Sequence, residues 1–335
     1  MKKKITLALT VCLAAAIPIL CSADDLPKLP AEKAGQINQP TGKIAFTRDR
    51  SLWVMDWNGS NQFKVVTAEN ASGKISWAPD GKHVAFCRFG QVDLKGPDYL
   101  GGIHKVWDIF IGYPDSAQSM QPNTNWWKRL TFEMGGRFPE YTSDGKRIIL
   151  TKDLNANTVN AQRPNYQTCF IDTSGQSLEI IRTDWKESRF MAIMPTLGPD
   201  SLYAFVLIDN VNPIGMAVST LKKKTLNEND VQNLLLIPKA TAPAWSPDGK
   251  WLAYIDNRLE NQGIFLTNKS LTEKYLVYKP AIGQVLQTFP ASWSPDSKWL
   301  TFAIGDGSIW IIDITGNGLR QILGPGSNEA PAWSK

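Results

Sequence analysis

The sequence predicts an all-β fold, a six-bladed β-propeller of four-stranded antiparallel blades, with the ring closed by the C-terminal strand. Three observations predict it: a sequence motif that recurs five times, six hydrophobic segments that suit the third strand of a blade, and two chain ends that each hold part of one repeat unit. The motif occupies residues 75–88, 139–152, 195–208, 243–256 and 291–304. Its shared aspartates are 64, 56, 48 and 48 residues apart, which suits units of about four strands with loops of variable length.

Each unit is predicted to contain the same four strands in order. A short strand ending in Trp or Tyr leads into a Pro-Asp-Gly turn, where Pro fixes φ and Gly can adopt a positive φ. An alternating second strand such as HVAFCR follows, then a third such as SLWVMDW and a last such as FKVVT. The turns carry Asp80, Asp144, Asp248 and Asp296. We expect these carboxylates to accept hydrogen bonds from the following backbone amides.

The two ends of the chain hold complementary parts of one unit. Residues 39–48 begin with a second strand and lack a first, whereas residues 330–335 form only a first strand. We therefore expect the last residues to complete the first blade. This closure would hide sheet edges that otherwise promote aggregation.

The start of the chain has the features of a secretory signal. Lys2–Lys4 precede an apolar run from Ile5 to Leu20, and small residues follow up to Ala23. The alternative is a lipoprotein of the outer membrane, anchored through Cys21, although Leu20 is bulky for that processing. The predicted organisation is a signal peptide at 1–23, an N-terminal extension at 24–38 and a propeller at 39–335.

Composition excludes several classes of protein. The chain has 335 residues, 43% of them hydrophobic, and a formal net charge of +5 that falls to +2 without Lys2–Lys4. Because the longest basic run beyond these is Lys222–Lys224, no nucleic-acid partner is expected. No later stretch has the ~20 apolar residues of a spanning helix, so no transmembrane segment is predicted. Cys87 and Cys169 lie in strand-like runs and are predicted to be buried thiols rather than a disulfide.

The recurring motifs resemble the repeat of TolB-type propellers, which has a WSPDGK-like turn, an IAF-like strand and a VMD-x-DGS-like hairpin. The hairpin occurs here as VMDWNGSN at 54–61, and the resemblance covers residues 39–335. Similar repeats occur in periplasmic TolB, which binds a peptidoglycan-associated lipoprotein, and in propellers attached to serine peptidases. Only 18 residues, Asp24 to Thr41, precede the first strand, so the α/β domain of TolB is not expected. A peptidase would also need a nucleophile elbow, and no G-x-S-x-G occurs.

Few residues suggest catalytic or metal chemistry. His83 follows a Pro-Asp-Gly-Lys turn at a strand edge, and His104 is expected in a loop without neighbouring ligands, so no metal site or catalytic triad is predicted. DWNGSN at 56–61 is similar to the start of a calcium loop but lacks its closing glutamate. A hairpin turn is the favoured interpretation and calcium the alternative. No other cofactor is predicted.

Tryptophan is frequent in this sequence, with thirteen residues. Nine occupy recurring positions before the turn, after it, or in third strands, and we expect them to pack between blades. They are Trp53, Trp77, Trp107, Trp245, Trp251, Trp293, Trp299, Trp310 and Trp333.

Insertions indicate where a partner would bind. The second and third units carry long connections at 89–105 and 153–165, and residues 183–190 join the same side of the ring. Together these segments are predicted to form a protein- or peptide-binding patch of aromatic residues, histidine and arginines. Its members are Tyr99, His104, Arg163, Tyr166, Trp185 and Arg189. The alternative is that these loops merely tolerate insertion.

The opposite side is expected to carry residues 113–128 and 222–233. Trp126 and Trp127 form an alternative ligand face there, where they would stack on a glycan or simply pack. The sequence thus predicts an exported, monomeric, non-enzymatic interaction module of the periplasm or cell envelope, and participation in a Tol-Pal system stays open. A glycan-binding protein or carbohydrate-active enzyme is the alternative.

Overall fold

The computed structural model describes residues 26–65, 70–94, 102–114, 127–132, 135–156, 158, 164–184, 186–210, 212–258 and 262–335; at 92, 94, 104 and 105 it describes the backbone only. This part of the chain forms six four-stranded antiparallel sheets, which confirms the predicted propeller. The predicted signal peptide lies outside the described residues. No helix in the described ranges is long and apolar enough to cross a membrane.

The strands of the first three blades are given from the channel outward. Blade 1 contains β24 (Asn328–Trp333), β1 (Lys43–Arg48), β2 (Ser51–Asp56) and β3 (Phe63–Lys64). Blade 2 contains β4 (Ala71–Trp77), β5 (Val84–Leu94), β6 (Gly102–Gly112) and β7 (Trp127–Arg129). Blade 3 contains β8 (Gly136–Tyr141), β9 (Arg147–Asp153), β10 (Tyr166–Asp172) and β11 (Leu178–Ile180).

The other three blades follow the same order. Blade 4 contains β12 (Phe190–Leu197), β13 (Leu202–Asp209), β14 (Asn212–Thr220) and β15 (Leu235–Pro238). Blade 5 contains β16 (Ala240–Trp245), β17 (Leu252–Asp256), β18 (Gly263–Thr267) and β19 (Tyr275–Tyr278). Blade 6 contains β20 (Ser292–Trp293), β21 (Trp299–Ala303), β22 (Ile309–Asp313) and β23 (Arg320–Leu323).

The C-terminal strand closes the ring as predicted. Antiparallel pairing of β24 with β1 places Trp333 opposite Ile44 and Ala332 opposite Ala45. β24 also contacts β4 of blade 2 and β20 of blade 6, so it occupies the channel-side position of blade 1. β24 therefore contacts both of the blades that adjoin blade 1.

The turn aspartates form the predicted local hydrogen bonds. Oδ1 of Asp80 accepts from the backbone amide of Lys82 at 2.8 Å, and Oδ1 of Asp248 accepts from that of Lys250 at 3.1 Å. Asp144 and Asp296 accept from the amides two residues later in the same way. These carboxylates stabilise the turns, because they satisfy amides that the strands leave unpaired.

The core lies between blades. Each interface has its own apolar cluster, such as Val54, Trp77 and Phe86 between blades 1 and 2. Six of the nine recurring tryptophans are buried, and the three in third strands are half-buried. They confirm the predicted packing between blades, since each indole supplies a large apolar surface to an interface.

Two short helices lie outside the blades. α1 (Ala31–Ala34) belongs to an N-terminal segment, residues 26–42, which we call the strap, and α2 (Glu228–Gln232) lies between β14 and β15. A 3₁₀ turn covers Pro199–Ser201. The α2 N-terminus is a capping box, in which Asn227 and Asp230 each accept the other's backbone amide.

The strap crosses three blades. The carbonyl of Pro27 accepts a hydrogen bond from the Leu276 amide of blade 5 at 3.0 Å. In blade 6, Nε1 of Trp299 donates to the Asn38 carbonyl at 2.9 Å, and in blade 1, Nε1 of Trp333 donates to the Thr41 carbonyl. The strap therefore reinforces the ring on both sides of its closure.

Two local predictions were wrong. The insertion at 89–105 is largely strand, because β5 and β6 continue their ladder to Leu94 and Gly102, and His104 lies opposite Val92 rather than in a loop. Continued pairing satisfies backbone groups that a long loop would leave to water. The segment at 222–233 is not confined to the opposite side, because Glu228 in α2 lies 3.7 Å from Arg189. Its Leu226 is buried against blade 4, which pulls the segment along the blade.

Candidate functional site

The ring has two faces. We call the side with the Pro-Asp-Gly turns the turn face, and the side with the β5–β6 hairpin and the β9–β10 connection the hairpin face. Connections after second and fourth strands both emerge on the hairpin face, because neighbouring strands are antiparallel. The channel runs between the faces and is lined by the innermost strands of all six blades.

The structure describes only part of the predicted patch. Tyr99, Arg163 and Trp185 lie outside the described residues, and of His104 only the backbone is described. Tyr166 begins β10, where its amide donates to Sδ of Met191 at 3.2 Å. The patch as a whole stays a prediction.

Arg189 lies on the neighbouring blade at the same face as Tyr166. Its side chain is 51% exposed and lies 3.5 Å from the Asp209 carboxylate. Its guanidinium carbon also lies 4.9 Å from the centre of the Phe190 ring. These contacts orient an exposed cation at the edge of blade 4.

The β5–β6 hairpin is the longest feature of the hairpin face. Its two strands have eleven residues each, whereas second and third strands elsewhere have five to nine. At its base, the rings of Phe89 and Trp107 lie 5.1 Å apart, and Arg137 of blade 3 lies over Trp107 at 5.5 Å. Towards its end, Ile103 is 72% exposed. The hairpin therefore has a base fixed by aromatic and cationic contacts and an exposed apolar side chain towards its end.

Trp127, in the alternative ligand face, packs within blade 2. Its ring meets Phe110 edge-on at 5.0 Å, and the guanidinium of Arg88 lies 4.7 Å from its centre. Trp126 lies outside the described residues. Glycan stacking at this pair stays an untested alternative.

The channel contains a cavity of about 570 Å³. Its wall includes the indoles of Trp77, Trp245, Trp293 and Trp333, and it extends to the turns at Asp144 and Asp248. Phe289 also lines the cavity. Cε1 of its ring lies 3.9 Å from the position that a Cβ atom would occupy on Gly73 of blade 2. The cavity wall thus contains buried aromatic residues together with the polar residues described next.

A partly buried ion pair joins two blades inside this cavity. Nζ of Lys74 lies 2.6 Å from Oε2 of Glu140, and the two side chains are 10% and 17% exposed. Oε1 of Glu140 accepts from the Leu197 amide at 2.8 Å and from the Thr196 hydroxyl at 3.1 Å. Lys335 lines the same cavity. Glu140 therefore links blades 2, 3 and 4.

Neighbouring charges set the protonation of these groups. Burial raises the pKa of Glu140, but Lys74, Lys335 and the Leu197 amide outweigh it, so the net pKa is lowered and the carboxylate is ionised. Desolvation by the surrounding protein lowers the pKa of Lys335 although the residue is solvent-exposed; Glu140 opposes that effect, and Lys74 adds to it. The cluster holds two cationic side chains and one anionic side chain.

Glu140 replaces a small residue used by the other blades. The residue before the aromatic or leucine end of each innermost strand is Ser76, Glu140, Thr196, Ala244, Ser292 or Ala332. Ser76, Thr196 and Ser292 each accept the next blade's backbone amide through their hydroxyl oxygen. After Ala244 and Ala332, the next blade's tryptophan donates to the alanine carbonyl instead. Sequence analysis missed Glu140, although a carboxylate at this repeat position was the available signal.

The calcium-like segment forms a self-contained hairpin turn. Oδ2 of Asp56 accepts from Asn61 Nδ2 at 2.6 Å, and Oδ1 of Asn58 accepts from the Ser60 amide at 3.0 Å. Within the described ranges, no three His, Cys, Asp or Glu residues group as a metal site. Calcium binding, the alternative to a simple hairpin turn, stays untested.

The fold and its channel define a six-bladed β-propeller of TolB-like architecture. No family model matches the chain, and no curated protein sequence matches it. The structure is similar to TolB from Acinetobacter baumannii, with a TM-score of 0.63 and 16% identity over 88% of this chain and 66% of that one. It is also similar to putative TolB from Agrobacterium tumefaciens, with a TM-score of 0.57 and 12% identity over 87% and 92% of the two chains.

The same fold occurs in a protease. The chain is similar to part of the tricorn protease, with a TM-score of 0.53 and 14% identity over 86% of this chain and 25% of that one. At such identities the similarities establish the fold and leave function to the site. The chain also spans slightly less than two thirds of the A. baumannii protein.

Proposed function

We propose that this protein is exported and acts, without catalysis, as a protein-binding propeller of the cell envelope. The observation that carries the proposal is the extended β5–β6 hairpin with Ile103 72% exposed on the hairpin face. An exposed large apolar side chain on a braced strand costs little conformational entropy when it is covered by a partner. The signal-like residues 1–23 support export.

The surroundings of the hairpin suit a protein partner. Arg189 offers an exposed cation on blade 4, and Tyr166 begins the third strand of blade 3 on the same face. Arginine and aromatic residues are frequent anchors of protein interfaces. TolB-like architecture agrees with this role, since the TolB repeat resemblance implies binding of an envelope lipoprotein.

The direct test is site-specific photocrosslinking in living cells. A photoreactive residue at Ile103 should give a discrete adduct with an envelope protein, identified by mass spectrometry. The matched control is the same residue at Lys250, which is 72% exposed on the turn face and should give no such adduct. Export is checked in the same experiment by fractionation.

Two outcomes would overturn the proposal. Retention in the cytoplasm would contradict export, and equal adducts at both positions would contradict the assignment of the hairpin face. Ile103→Asp should abolish the adduct formed from a second photoreactive residue at Arg189. The exposed position makes this substitution nearly neutral for folding, and urea denaturation checks that point.

A further inference from the structure

We propose that the outer edge of β6, the side that faces β7, binds an extended segment of the partner protein as an added β-strand. This binding mode deepens the proposed function and rests on it, because it concerns how the β5–β6 hairpin would hold that partner. In such a complex, main-chain hydrogen bonds supply affinity, and alternate side chains of the added strand supply specificity.

The fourth strand of blade 2 covers only part of β6. In the described part of the chain, the last backbone bond between them runs from the Leu130 amide to the Ile109 carbonyl at 2.8 Å. The Ile109 amide donates to the Thr131 hydroxyl at 2.9 Å, so a side chain takes the place of the next strand bond. Seven residues of β6, Gly102–Asp108, extend beyond this point. The described residues place no further strand beside their outer edge.

The other blades cover their third strands almost completely. In blade 3, the Ile181 amide donates to the Thr168 carbonyl at 3.0 Å, and only two residues of β10 extend beyond that bond. In blade 4, the Lys239 amide donates to the Ile214 carbonyl at 3.0 Å, which also leaves two residues of β14. The third strands of blades 1, 5 and 6 leave at most one. The long open edge is therefore a feature of blade 2.

Alternation along β6 determines which backbone groups face the open edge. Ile109 directs its carbonyl outward to Leu130, and successive residues of a strand direct their backbone groups to opposite sides. Ile103, Lys105 and Trp107 therefore direct their amides and carbonyls outward, away from β5. Within the described ranges, no residue bonds to the outward backbone groups of Ile103 and Trp107. Such a row of unpaired groups is a template for another strand.

The pairing of β5 with β6 agrees with this direction. Phe89 lies opposite Trp107, and its amide donates away from β6, to the Asn70 carbonyl at 3.0 Å. Phe89 and Trp107 therefore form a pair without a mutual backbone hydrogen bond. Gln91 and Lys105 form the next pair of this kind along the hairpin. A substitution that removes the amide hydrogen of Gln91 or Lys105 thus leaves the bonds between β5 and β6 in place.

Exposed apolar side chains lie at both ends of the open edge. Ile103 is 72% exposed near the end of the hairpin, and Phe132, two residues after Leu130, is 56% exposed. The guanidinium carbon of Arg129 lies 4.8 Å from the centre of the Phe132 ring, just beyond the end of β7. Because alternate residues of a strand share one face, apolar residues two positions either side of a central residue would lie opposite Ile103 and Trp107.

The charge at the middle of the edge favours a partner segment over a second copy of this chain. A symmetrical antiparallel pairing of two β6 strands, centred on the open edge, would place Lys105 opposite Lys105 of the second copy. Like charges directly opposite each other destabilise such a pair, whereas opposite charges stabilise it. The edge therefore fits a segment with an acidic residue at its centre and apolar residues two positions before and after it.

Proline substitutions on the two edges of the hairpin test the proposal in living cells. A photoreactive phenylalanine analogue at Phe132 should give the same envelope-protein adduct as the photoreactive residue at Ile103. Lys105→Pro removes an outward amide and should lower the adduct at Phe132 about tenfold or more, because main-chain pairing is lost. Gln91→Pro, the matched change on the opposite edge of the hairpin, should leave the adduct unchanged.

Two further substitutions separate the backbone of Lys105 from its charge. Lys105→Ala keeps the amide and should lower the adduct less than Lys105→Pro does. Lys105→Glu should lower it more than Lys105→Ala, because it would repel the acidic residue of the partner. Mass spectrometry of the crosslinked peptide should show the acidic residue with its flanking apolar residues.

A synthetic peptide of the crosslinked segment tests main-chain pairing with the purified, unaltered protein. N-methylation of the alternate amides that face β6 should abolish its binding, whereas N-methylation of the other alternate amides should leave binding unchanged. Equal effects of the two sets would overturn the proposal. The peptides also decide the matter if a proline variant has a lowered melting temperature, because they leave the protein unchanged.

Three other results would overturn the proposal. Lys105→Pro and Gln91→Pro could give equal adducts in folded protein, or the adduct could be lost with Gln91→Pro instead. Light scattering could also show a dimer that Lys105→Pro abolishes, which would identify a second copy as the occupant. Absence of any adduct in the protein without these substitutions would contradict the proposed function itself, so the two failures are distinguishable.

Discussion

The indole Nε1 of Trp333 donates a hydrogen bond to the carbonyl oxygen of Thr41 at 2.7 Å, so the last strand is tied to the strap. Trp333 is 3% exposed and also pairs through β24 with Ile44 of β1. One side chain thus connects the two ends of the described chain at the point where the ring closes. Stability of the closure should therefore be sensitive to this indole.

Trp333→Phe is expected to lower the free energy of unfolding by about 2 kcal/mol or more. The change leaves the Thr41 carbonyl without its donor and creates a cavity in the closure. Trp53→Phe is the matched control, because Trp53 is half-buried in a third strand, and it should cost less than about 1 kcal/mol. Urea denaturation measures both, and equal losses would contradict a special role for the closure.

Asp256 should be the most sensitive carboxylate in blade 5. Its side chain is fully buried, lies 3.2 Å from Nζ of Lys274 and accepts from Nε of Arg258 at 2.9 Å. Asp256→Asn should destabilise the protein by about 3 kcal/mol, because two cations lose their anion while they stay partly buried. Asp200→Asn, 74% exposed beside Lys269, should change stability by less than about 0.5 kcal/mol. Similar losses in urea denaturation would show that burial of Asp256 is unimportant.

The pH dependence of the free energy of unfolding gives a second test of Asp256 and its two cationic partners. Burial raises the pKa of Asp256, but hydrogen bonds and charges from Arg258 and Lys274 outweigh it, and the net pKa lies below the unfolded value of 3.8. The stabilisation is therefore present above the unfolded pKa of 3.8 and is lost as the pH falls from there through the folded pKa. The stability difference between wild type and Asp256→Asn should be constant above about pH 5 and shrink below pH 3.8. A difference that grows on acidification would contradict this assignment.

Cys87 and Cys169 should be inert in the folded protein. Both thiols are free and buried, as predicted, and burial raises the pKa of each to about 12. Only the thiolate reacts, so iodoacetamide should modify neither in native protein that lacks residues 1–23. Both should react in urea, as measured by intact mass. Lys250→Cys supplies an exposed thiol that should react at once, and native labelling of Cys87 or Cys169 would contradict their burial.

The repeat made much of the fold predictable. Copies of one sequence motif adopt the same conformation. This accounts for the Pro-Asp-Gly turns, the positions of the tryptophans and the completion of blade 1 by β24. The extended pairing of β5 and β6 was missed, because a strand that leaves the ring no longer follows the repeat. Residues 222–233 were misplaced because Leu226 packs on blade 4 through a contact that no local pattern encodes.

By itself, the sequence determined the number of blades, their strand order and the closure of the ring. Those properties depend on local turn chemistry and on alternation within strands, and both repeat along the chain. Only the tertiary structure decided that Lys74, Glu140 and Lys335 share one cavity. They come from three blades and meet because a closed ring points the innermost strands at one axis, whatever their separation in sequence.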